Sequence, residues 1–316
     1  MSVAAVLEPD VSVVIPCRNE EANAPAIAAA VTAELERAGV SFDLIFIDNA
    51  STDKTVEVIR GLCANDPRVR LIVNTRNFGQ MRSPTHGIFE ARGRAVIGMC
   101  ADFQDPPELL GRFIERWRAG VNIVLGVRES EKSSLLLGWM REFSYAFARM
   151  VGDYPIVRNA TGFGLYDRKV VDAIQALQEP EPFFRGMLVE TGFSLETIPY
   201  ARPQRRRGVT NNNFFTLLDF ALSGLASSSK RLLRFPFFVG ALAGVAAGVS
   251  LLVALVALAM GREFTGWLIG AGIEFQFAFL FVFLGLIGDQ VRIVSERTRQ
   301  TPLVIERERV NFPEGY

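Results

Sequence analysis

The sequence has few of the residues on which metal centres and disulfide frameworks depend. It contains one histidine and three cysteines among 316 residues. Cys17, Cys63 and Cys100 form no CxxC pair and are odd in number, so neither a disulfide framework nor a structural zinc site is favoured. A single histidine excludes a histidine-rich metal site. We therefore expect a reducing compartment.

Net charge and phosphate-binding glycine motifs are also lacking. The 34 basic and 34 acidic residues cancel, which removes the electrostatic basis for nucleic acid as the main partner. No GxGxxG follows the first predicted strand, and no GxxxxGK[ST] occurs anywhere in the chain. A dinucleotide-binding fold and a P-loop are therefore disfavoured.

Two long apolar runs lie near the C-terminus. Residues 235–260 carry no formal charge, and residues 267–288 are equally apolar except for Glu274 and Gln276. Because about 20 apolar residues cross a bilayer core, we expect two membrane spans joined by a tight turn. A charge such as that of Glu274 is costly in lipid unless it faces a helix or another subunit, which favours a homo-oligomer.

The flanking charges predict the orientation and the domain organisation. Basic residues precede the first run and follow the second, so both termini are expected in the cytoplasm, with no secretory signal at the N-terminus. We predict an integral protein of the bacterial cytoplasmic membrane with a cytosolic catalytic domain. The expected segments are a catalytic domain at 1–211, an interfacial amphipathic helix and basic linker at 212–234, a transmembrane hairpin at 235–288 and a cytosolic tail at 289–316. A core-facing helix is the alternative for the interfacial one.

Strand and helix patterns alternate along the first part of the chain. β-Branched and apolar runs predict strands, and the segments between them have helical patterns. The predicted strands are Val11–Ile15, Phe42–Asp48, Val69–Asn74, Ala95–Cys100 and Asn122–Val127, and the predicted helices are Ala24–Ala38, Asp53–Ala64, Gln80–Ala91 and Pro107–Trp117. This alternation indicates an α/β fold with a mainly parallel sheet covered on both faces.

Each of the first four strands is followed by a polar segment. These segments present carboxylates and amides, and ligands of open parallel sheets bind beyond the carboxyl ends of the strands. A pyrophosphate held near carboxylates needs a divalent cation between the negative charges. The segments are Pro16–Glu21, Asp48–Asp53, Arg76–Gln80 and Asp102–Glu108.

Eight segments in order resemble the polyprenyl-phosphate glycosyltransferases of glycosyltransferase family 2, such as dolichol-phosphate mannose synthase and the bactoprenol glucosyltransferases. The resemblance covers nearly the whole chain. The segments are VVIPCRNEE, IDNASTDKT, RNFGQ, MCADFQDPPELL, TGFGLYDRKV, FFRGMLVETGF, RRRGVTNNNF and LGLIGDQVRIVSE.

The resemblance implies a GT-A type nucleotide-diphosphosugar transferase fold, a UDP-sugar or GDP-sugar donor, and Mg²⁺ or Mn²⁺. It implies that Asp102 and Gln104 hold the metal, and an oxygen ligand at a strand end agrees for Asp102. A turn residue is the alternative for Asp102, and a helix cap is the alternative for Asp48. The nucleotide-binding residues implied are Pro16, Asn19, Glu20, Asp48, Asn77, Gly79 and Gln80.

The acceptor is expected to be a polyprenyl phosphate. A phosphate monoester is mostly ionised near neutral pH, with a second pKa of about 6, so it attacks without a strong general base but needs cations nearby. Arginine suits bidentate phosphate contacts. By the resemblance the lipid phosphate is bound by Arg128, Arg141, Ser144 and Arg205; a solvated surface charge is the alternative for each arginine.

The expected reaction is a single inverting displacement that transfers a hexose to the lipid phosphate. UDP-glucose is the first expectation for the donor, and UDP-N-acetylhexosamine is the second. Besides Asp102, we assign a catalytic role or a sugar contact to Asp105 and Asp167, with a turn and a helix cap as the alternatives. His86 is interpreted as structural.

Three departures from the family pattern bear on the site. Cys100 replaces the first aspartate of the DxD motif, Asn49 replaces the second aspartate of VDDGS, and Gly164 replaces the arginine of SGFR. Cys100 is a poor Mg²⁺ ligand and is interpreted mainly as a buried strand residue. The first two changes leave open a catalytically weak membrane scaffold. A processive polysaccharide synthase is disfavoured because QxxRW and further spans are lacking.

Overall fold

The computed structural model describes residues 8–129, 157, 159–180, 182–201 and 302–313, together with scattered helical positions between 269 and 298. In these residues the chain forms an eight-stranded mixed sheet with helices on both faces. The strand order is β7-β5-β6-β4-β1-β2-β3-β8. The predicted α/β class with a mainly parallel sheet is confirmed for the central strands.

The centre of the sheet is made of four parallel strands. Val11–Cys17 (β1) pairs with Phe42–Asp48 (β2) and with Ala95–Gly98 (β4), and β2 pairs with Val69–Asn74 (β3). β1, β2 and β3 are buried almost throughout, as expected for parallel strands covered on both faces. β4 ends earlier than its apolar run predicted, so Met99 and Cys100 already belong to the following loop. Cys100 is exposed there and is not the buried strand residue that we expected.

The four predicted helices have nearly the predicted bounds, and two further helices that were not predicted also cover the sheet. The predicted ones are Ala24–Ala38 (α1), Thr55–Asn65 (α2), Gly79–Glu90 (α3) and, after a 3₁₀ turn at Pro107–Leu109, Leu110–Arg118 (α4); the further ones are Arg168–Ala176 (α5) and Phe184–Glu190 (α6). Alternate strand residues enter two cores: Val13 and Ile15 pack in one, whereas Val14 packs in the other. α1, α2 and α4 cover the first core, and α3, α5 and α6 cover the second.

Three further strands were not predicted from the sequence. Ala160–Asp167 (β6) lies antiparallel between β4 and Ile123–Arg128 (β5). Leu195–Tyr200 (β7) runs parallel to β5 at one edge of the sheet. Glu306–Val310 (β8) pairs antiparallel with β3 at the other edge. Because β6 is antiparallel to both β4 and β5, β5 and β7 run in the same direction as the central strands.

The expected membrane segments lie largely outside the described residues. Residues 212–234 and the first run at 235–260 are not described, and only scattered positions of the second run are. Among the described residues, no helix is both long enough and apolar enough to cross a membrane.

Candidate active site

The register of the sheet brings the predicted polar segments to one edge. Cys17 at the end of β1 is paired with Asp48 at the end of β2, and Asp48 with Val73 near the end of β3. β4 also ends here, because the Met99 amide donates to the Val14 carbonyl at 3.1 Å. We call this the carboxyl edge, and it is where an open α/β sheet binds its ligand.

Hydrogen bonds join the loop after β1 to the loop after β2. Asn19 has a left-handed backbone, with φ of 59°, and its side-chain oxygen accepts from the Thr52 amide at 2.8 Å. The Asn19 amide donates to the Ser51 hydroxyl at 2.9 Å, and the Glu20 amide donates to the Thr55 hydroxyl at 2.8 Å. Two segments more than 30 residues apart are thus held as one surface.

Asp48 is buried and shapes its own loop. Its side chain has no exposed surface, and one carboxylate oxygen accepts from the Ser51 amide at 3.0 Å while the other accepts from the Ser51 hydroxyl. The structure shows this turn-forming role, and the nucleotide contact expected for Asp48 stays a prediction. Pro16, the other strand residue assigned to the nucleotide, is half-buried and lies one position before the last residue of β1 that pairs with β2.

Asn49 is the centre of the contacts between the β2 and β3 loops. Its amide nitrogen donates to the Asn77 side-chain oxygen at 2.8 Å and to the Gly79 carbonyl at 3.0 Å. Its side-chain oxygen accepts from the Phe78 amide at 2.8 Å and from Asn74 at 3.3 Å. A carboxylate could not make the two donations. The asparagine found here in place of the family's aspartate therefore has a structural function.

The loop after β3 places the remaining predicted nucleotide residues at the same edge. The Asn77 side-chain oxygen accepts from the Gly79 amide at 2.9 Å, and Gly79 has φ of +84°, a conformation that favours glycine. Asn77, Gly79 and Gln80 are exposed, whereas Phe78 between them is buried beneath Arg76, whose guanidinium lies 4.0 Å from the ring centroid.

The loop after β4 contains the expected metal ligands, Asp102 and Gln104. The Gln104 amide donates to a carboxylate oxygen of Asp102 at 3.1 Å. Phe103 between them is buried in a left-handed backbone with φ of 60°, which is strained for a bulky residue. A carboxylate and an amide oxygen held in one turn fit the preference of Mg²⁺ or Mn²⁺ for oxygen ligands.

Asp105 is a buried carboxylate at the end of this loop. Its oxygens accept from the Cys100 amide at 2.9 Å and from the Tyr200 hydroxyl at 3.1 Å, and burial raises its pKa. The charge of Asp105 raises the pKa of the Cys100 thiol well above its usual range. Cys100 is therefore a neutral thiol near neutral pH, so a metal ion bound here would be held by the oxygen atoms of its neighbours.

Arg128 lies at the carboxyl edge, at the end of β5. Its Nε donates to the Tyr200 hydroxyl at 3.5 Å, and its amide donates to the Asn159 carbonyl at 3.2 Å. Because β5 has the direction of β4, Arg128 and Asp102 follow strands that end on the same side of the sheet. The other expected phosphate ligands, Arg141, Ser144 and Arg205, lie outside the described residues.

The structure places Asp167 away from Asp102, and the catalytic role expected for it stays a prediction. Asp167 is paired with Ala95 at the start of β4, which is the edge opposite Asp102. Its carboxylate accepts from the Lys169 amide at 3.1 Å and from the Trp117 indole at 2.8 Å. The physical reason is the antiparallel direction of β6, which the sequence pattern did not reveal. Asp167 is the N-terminal cap of α5.

Gly164 has no room for the arginine that the family pattern has at this position. A Cβ atom there would lie 2.5 Å from the Val124 carbonyl oxygen and 2.9 Å from a methyl group of Leu125. Gly164 lies in the middle of β6, between Gly98 of β4 and Leu125 of β5. The backbones of this chain leave no space for a side chain here.

His86 belongs to a second group of polar side chains, away from the carboxyl edge of β4. Among the described residues, ligand atoms of His86, Glu90 and Glu306 lie within 4.8 Å of one another. Arg309 already contacts both carboxylates, at 2.8 Å from Glu90 and 2.7 Å from Glu306. Three strands separate β4 from β8 in the sheet, roughly 19 Å at the usual spacing. We interpret this group as an ion-pair cluster, in line with the structural role expected for His86.

Comparison with known proteins identifies the family. The sequence profile described as "Glycosyl transferase family 2" matches residues 12–175, and the chain belongs to this family. The chain is 29% identical to the uncharacterized glycosyltransferase YkcC of Bacillus subtilis strain 168 over 299 residues, covering 93% of this chain and 92% of that protein. It is 32% identical to the bactoprenol glucosyl transferase of Shigella phage SfV over 231 residues, covering 73% of this chain and 75% of that protein.

Solved structures confirm the GT-A type fold. Glucosyl-3-phosphoglycerate synthase of Mycobacterium tuberculosis, crystallised with Mn²⁺ and UDP-glucose, matches with a TM-score of 0.50 and 17% identity over 72% of this chain and 79% of that one. Mannosyl-3-phosphoglycerate synthase of Rubrobacter xylanophilus matches with a TM-score of 0.50 and 16% identity, covering 73% of this chain and 75% of that one.

Sequence reasoning missed Tyr200, which contacts both Asp105 and Arg128. Tyr200 ends a short edge strand whose alternation is weak, with exposed residues on both sides of Ile198. An aromatic residue at a strand end, just before the basic segment Arg202–Arg207, was the available signal. Nothing local distinguishes it from a core tyrosine.

Proposed function

We propose that the protein transfers a hexose from a UDP-sugar to a membrane polyprenyl phosphate, with inversion at the anomeric carbon. UDP-glucose is the first candidate donor, and UDP-N-acetylhexosamine is the second. The observation that carries the proposal is the placement of Asp102 and Arg128, which follow β4 and β5 on the same edge of the sheet. The similarity to bactoprenol glucosyl transferases supports the choice of acceptor.

On the donor side, the joined loops after β1, β2 and β3 would hold the nucleoside. Asn19 and Glu20 contribute through one loop, and Asn77, Gly79 and Gln80 through another, with Asn49 connecting the β2 and β3 loops. Asp102 and Gln104 would hold Mg²⁺ or Mn²⁺. When bound, the cation would neutralise the negative charge of the diphosphate and so stabilise the UDP leaving group.

On the acceptor side, Arg128 would bind the lipid phosphate. A half-buried guanidinium at a strand end offers several donors to one phosphate, and this interaction fixes the attacking oxygen. A new bond forms between that oxygen and the anomeric carbon as the bond from this carbon to the UDP oxygen breaks. The electron pair of the broken bond leaves with UDP. Because the attacking phosphate oxygen is already ionised, no strong general base is needed. Correct positioning of the donor and the acceptor therefore supplies much of the rate.

The proposed acceptor requires a membrane location, for which we propose the cytoplasmic membrane with the catalytic domain in the cytoplasm. Large apolar side chains are exposed at described helical positions of the C-terminal part. Ile269 is 58% exposed, Phe275 57% and Val291 61%. Exposed apolar side chains in such number favour contact with lipid or with another apolar surface.

The test is transfer of radiolabelled sugar from UDP-glucose into butanol-extractable lipid, using the full chain in vesicles that contain a polyprenyl phosphate. We expect wild-type protein to label the lipid and Asp102→Ala to lose at least about a hundredfold of this activity. Asp172→Ala removes an exposed carboxylate on α5 and is the matched control, with activity retained. Equal activity of Asp102→Ala and wild type would contradict the assignment of the site.

Calorimetry separates the enzyme from a scaffold that has lost its metal site. We expect UDP to bind wild-type protein with heat that depends on added Mn²⁺, and this dependence to vanish in Asp102→Ala. Binding of UDP that is indifferent to Mn²⁺ in both proteins would favour the scaffold. Replacing UDP-glucose by UDP-N-acetylglucosamine in the transfer assay decides between the two candidate donors.

A further inference from the structure

Tyr200 lies between a carboxylate and the arginine assigned to the acceptor phosphate. Its hydroxyl donates to an oxygen of Asp105 at 3.1 Å and accepts from Nε of Arg128 at 3.5 Å. The three side chains come from different parts of the sheet: Asp105 from the loop after β4, Arg128 from the end of β5, and Tyr200 from the end of β7.

The position of the Tyr200 hydroxyl is set by ring packing against Phe163 and Gly126 and by a backbone hydrogen bond. The ring packs edge-to-face on Phe163, with centroids 5.7 Å apart. It also lies so close to Gly126 that a Cβ atom there would be 3.1 Å from a ring carbon. The Tyr200 carbonyl accepts from the Glu129 amide at 2.9 Å, one residue beyond Arg128. Ring and backbone therefore hold the hydroxyl against the end of β5.

Asp105 extends this network to the loop of the expected metal ligands. Its second oxygen accepts from the Cys100 amide at 2.9 Å, and its backbone directly follows Gln104. Asp105 is 1% exposed, so its contacts are made away from solvent and are correspondingly strong. The chain of contacts runs from the loop after β4 through Asp105 and Tyr200 to the guanidinium of Arg128.

We propose that Tyr200 is a positioning residue for the acceptor phosphate and acts through Arg128; this inference rests on the proposed function. The hydroxyl engages Nε and leaves the Nη groups of Arg128 to the phosphate. As a neutral group between Asp105 and Arg128, it also prevents a direct ion pair that would neutralise the guanidinium. Through Asp105, it fixes Arg128 relative to the donor loop.

The test is Tyr200→Phe, assayed for lipid-linked transfer with acceptor and donor concentrations varied separately. The substitution keeps the ring on Phe163 and removes only the hydroxyl. We expect KM for the polyprenyl phosphate to rise about tenfold or more, since a hydrogen bond to a charged group is lost, and KM for the UDP-sugar to stay unchanged.

Tyr166→Phe is the matched control. It removes a buried hydroxyl that donates to the Gly162 carbonyl, a contact that does not include Arg128. We expect it to lower the melting temperature at least as much as Tyr200→Phe does, while KM for the acceptor stays at the wild-type value. Equal rises in both variants would mean a general effect of packing and would overturn the positioning role.

A double-mutant cycle with Arg128→Lys provides the second measurement. If Tyr200 acts through Arg128, the fold-change in acceptor KM caused by Tyr200→Phe should be smaller in the Arg128→Lys background than in the wild-type background. An equal fold-change in both backgrounds would overturn the inference. Absence of transfer in wild-type protein would instead contradict the proposed function. Wild-type transfer with an unchanged acceptor KM in Tyr200→Phe would contradict the positioning role alone.

Discussion

Asn49 and Gly164 are residues whose identity depends on their immediate neighbours in space. Asn49 donates to two oxygens and accepts from two nitrogens at the end of β3 and in the segment that follows it, and Gly164 lies between two strand backbones. Each differs from the residue that the family pattern has at its position. In this chain both differences have a local structural cause and need not indicate a loss of activity.

Asn49→Asp should weaken the contacts between the loop after β2 and the loop after β3. The carboxylate cannot donate to the Asn77 side chain or the Gly79 carbonyl and would repel both oxygens. We expect the free energy of unfolding to fall by about 1–3 kcal/mol and UDP to bind more weakly, measured by urea denaturation and calorimetry. Asn65→Asp changes an exposed amide at the end of α2 and serves as the control, with a change within about 0.5 kcal/mol.

Gly164→Ala tests the close approach of the strands. Its Cβ would lie 2.5 Å from the Val124 carbonyl oxygen, so the backbones of β5 and β6 must move apart. We expect a loss of about 1–3 kcal/mol in the free energy of unfolding. Gly61→Ala, in α2 where no atom lies within 4 Å of the added Cβ, should instead be stabilising by about 0.5–1 kcal/mol. A stable Gly164→Ala protein would show that the strands can move apart at little cost.

At the scale of elements, strand direction decides which residues can share a site. β6 runs against β4 and β5, so its first residues lie at the carboxyl edge and its last residue, Asp167, lies at the opposite edge. The left-handed residues Asn19, Ala50, Gly79 and Phe103 follow the four central parallel strands, one after each. They turn each chain segment sharply at the strand end, so that short loops build the edge.

Asp167→Ala tests the capping role of Asp167 in α5. Two contacts are lost, one to the Lys169 amide and one to the Trp117 indole. We expect the free energy of unfolding to fall by about 1–3 kcal/mol while transfer activity at a temperature well below unfolding stays at the wild-type level. Loss of transfer without loss of stability would restore the catalytic interpretation. The control Asp172→Ala removes an exposed i,i+4 ion pair and should change stability by at most about 0.5 kcal/mol.

At the scale of the whole molecule, the last described segment returns to the sheet and covers the free edge of β3. Glu308 pairs with Arg60 of α2, and the side-chain amide nitrogen of Asn311 donates to the Cys63 carbonyl at 2.7 Å and to the Val69 carbonyl at 2.9 Å. β8 thus follows both apolar runs in sequence and is bound to the glycosyltransferase domain in space. An edge strand that is paired in this way is also protected against pairing with other chains.

The pH dependence of stability should reveal this attachment. Burial alone would raise the pKa of Glu306, but hydrogen bonds from His86 and Arg309 outweigh it and lower the pKa from 4.5 to about 2. A carboxyl group whose pKa is lowered by folding stabilises the protein at pH values above its pKa in the unfolded state. This stabilisation is lost as the pH falls toward its pKa in the folded state. We expect the contribution to be on the order of 2 kcal/mol and to disappear between pH 4.5 and about 2.

The measurement compares the unfolding free energies of wild type and Glu306→Gln between pH 6 and pH 3, a range set around the ordinary carboxyl pKa. Their difference should be constant at the upper end and shrink as the pH falls. Glu308→Gln is the control on the same strand, because the partner of Glu308 is exposed and solvent screens their interaction. A difference that does not change with pH would show that Glu306 is not held by its charge.

The amino-acid sequence was enough to predict the central strands, the helices between them and the segments that meet at the carboxyl edge. These features follow from local periodicity and from loops that directly follow their strands, so neighbours in sequence remain neighbours in space. The family pattern likewise indicated Asp102 and Arg128 from the residues around them.

The three-dimensional structure was needed to establish the direction of β6, the pairing of β8 with β3, and the contact of Tyr200 with Arg128 and Asp105. Each joins residues far apart in the chain, and short edge strands carry little local signal of what they pair with. A strand's direction moves its last residue from one edge of the sheet to the other without any change in local sequence. The sequence pattern therefore placed Asp167 at the wrong edge of the sheet. Tyr200 was missed because its short edge strand carries little local signal.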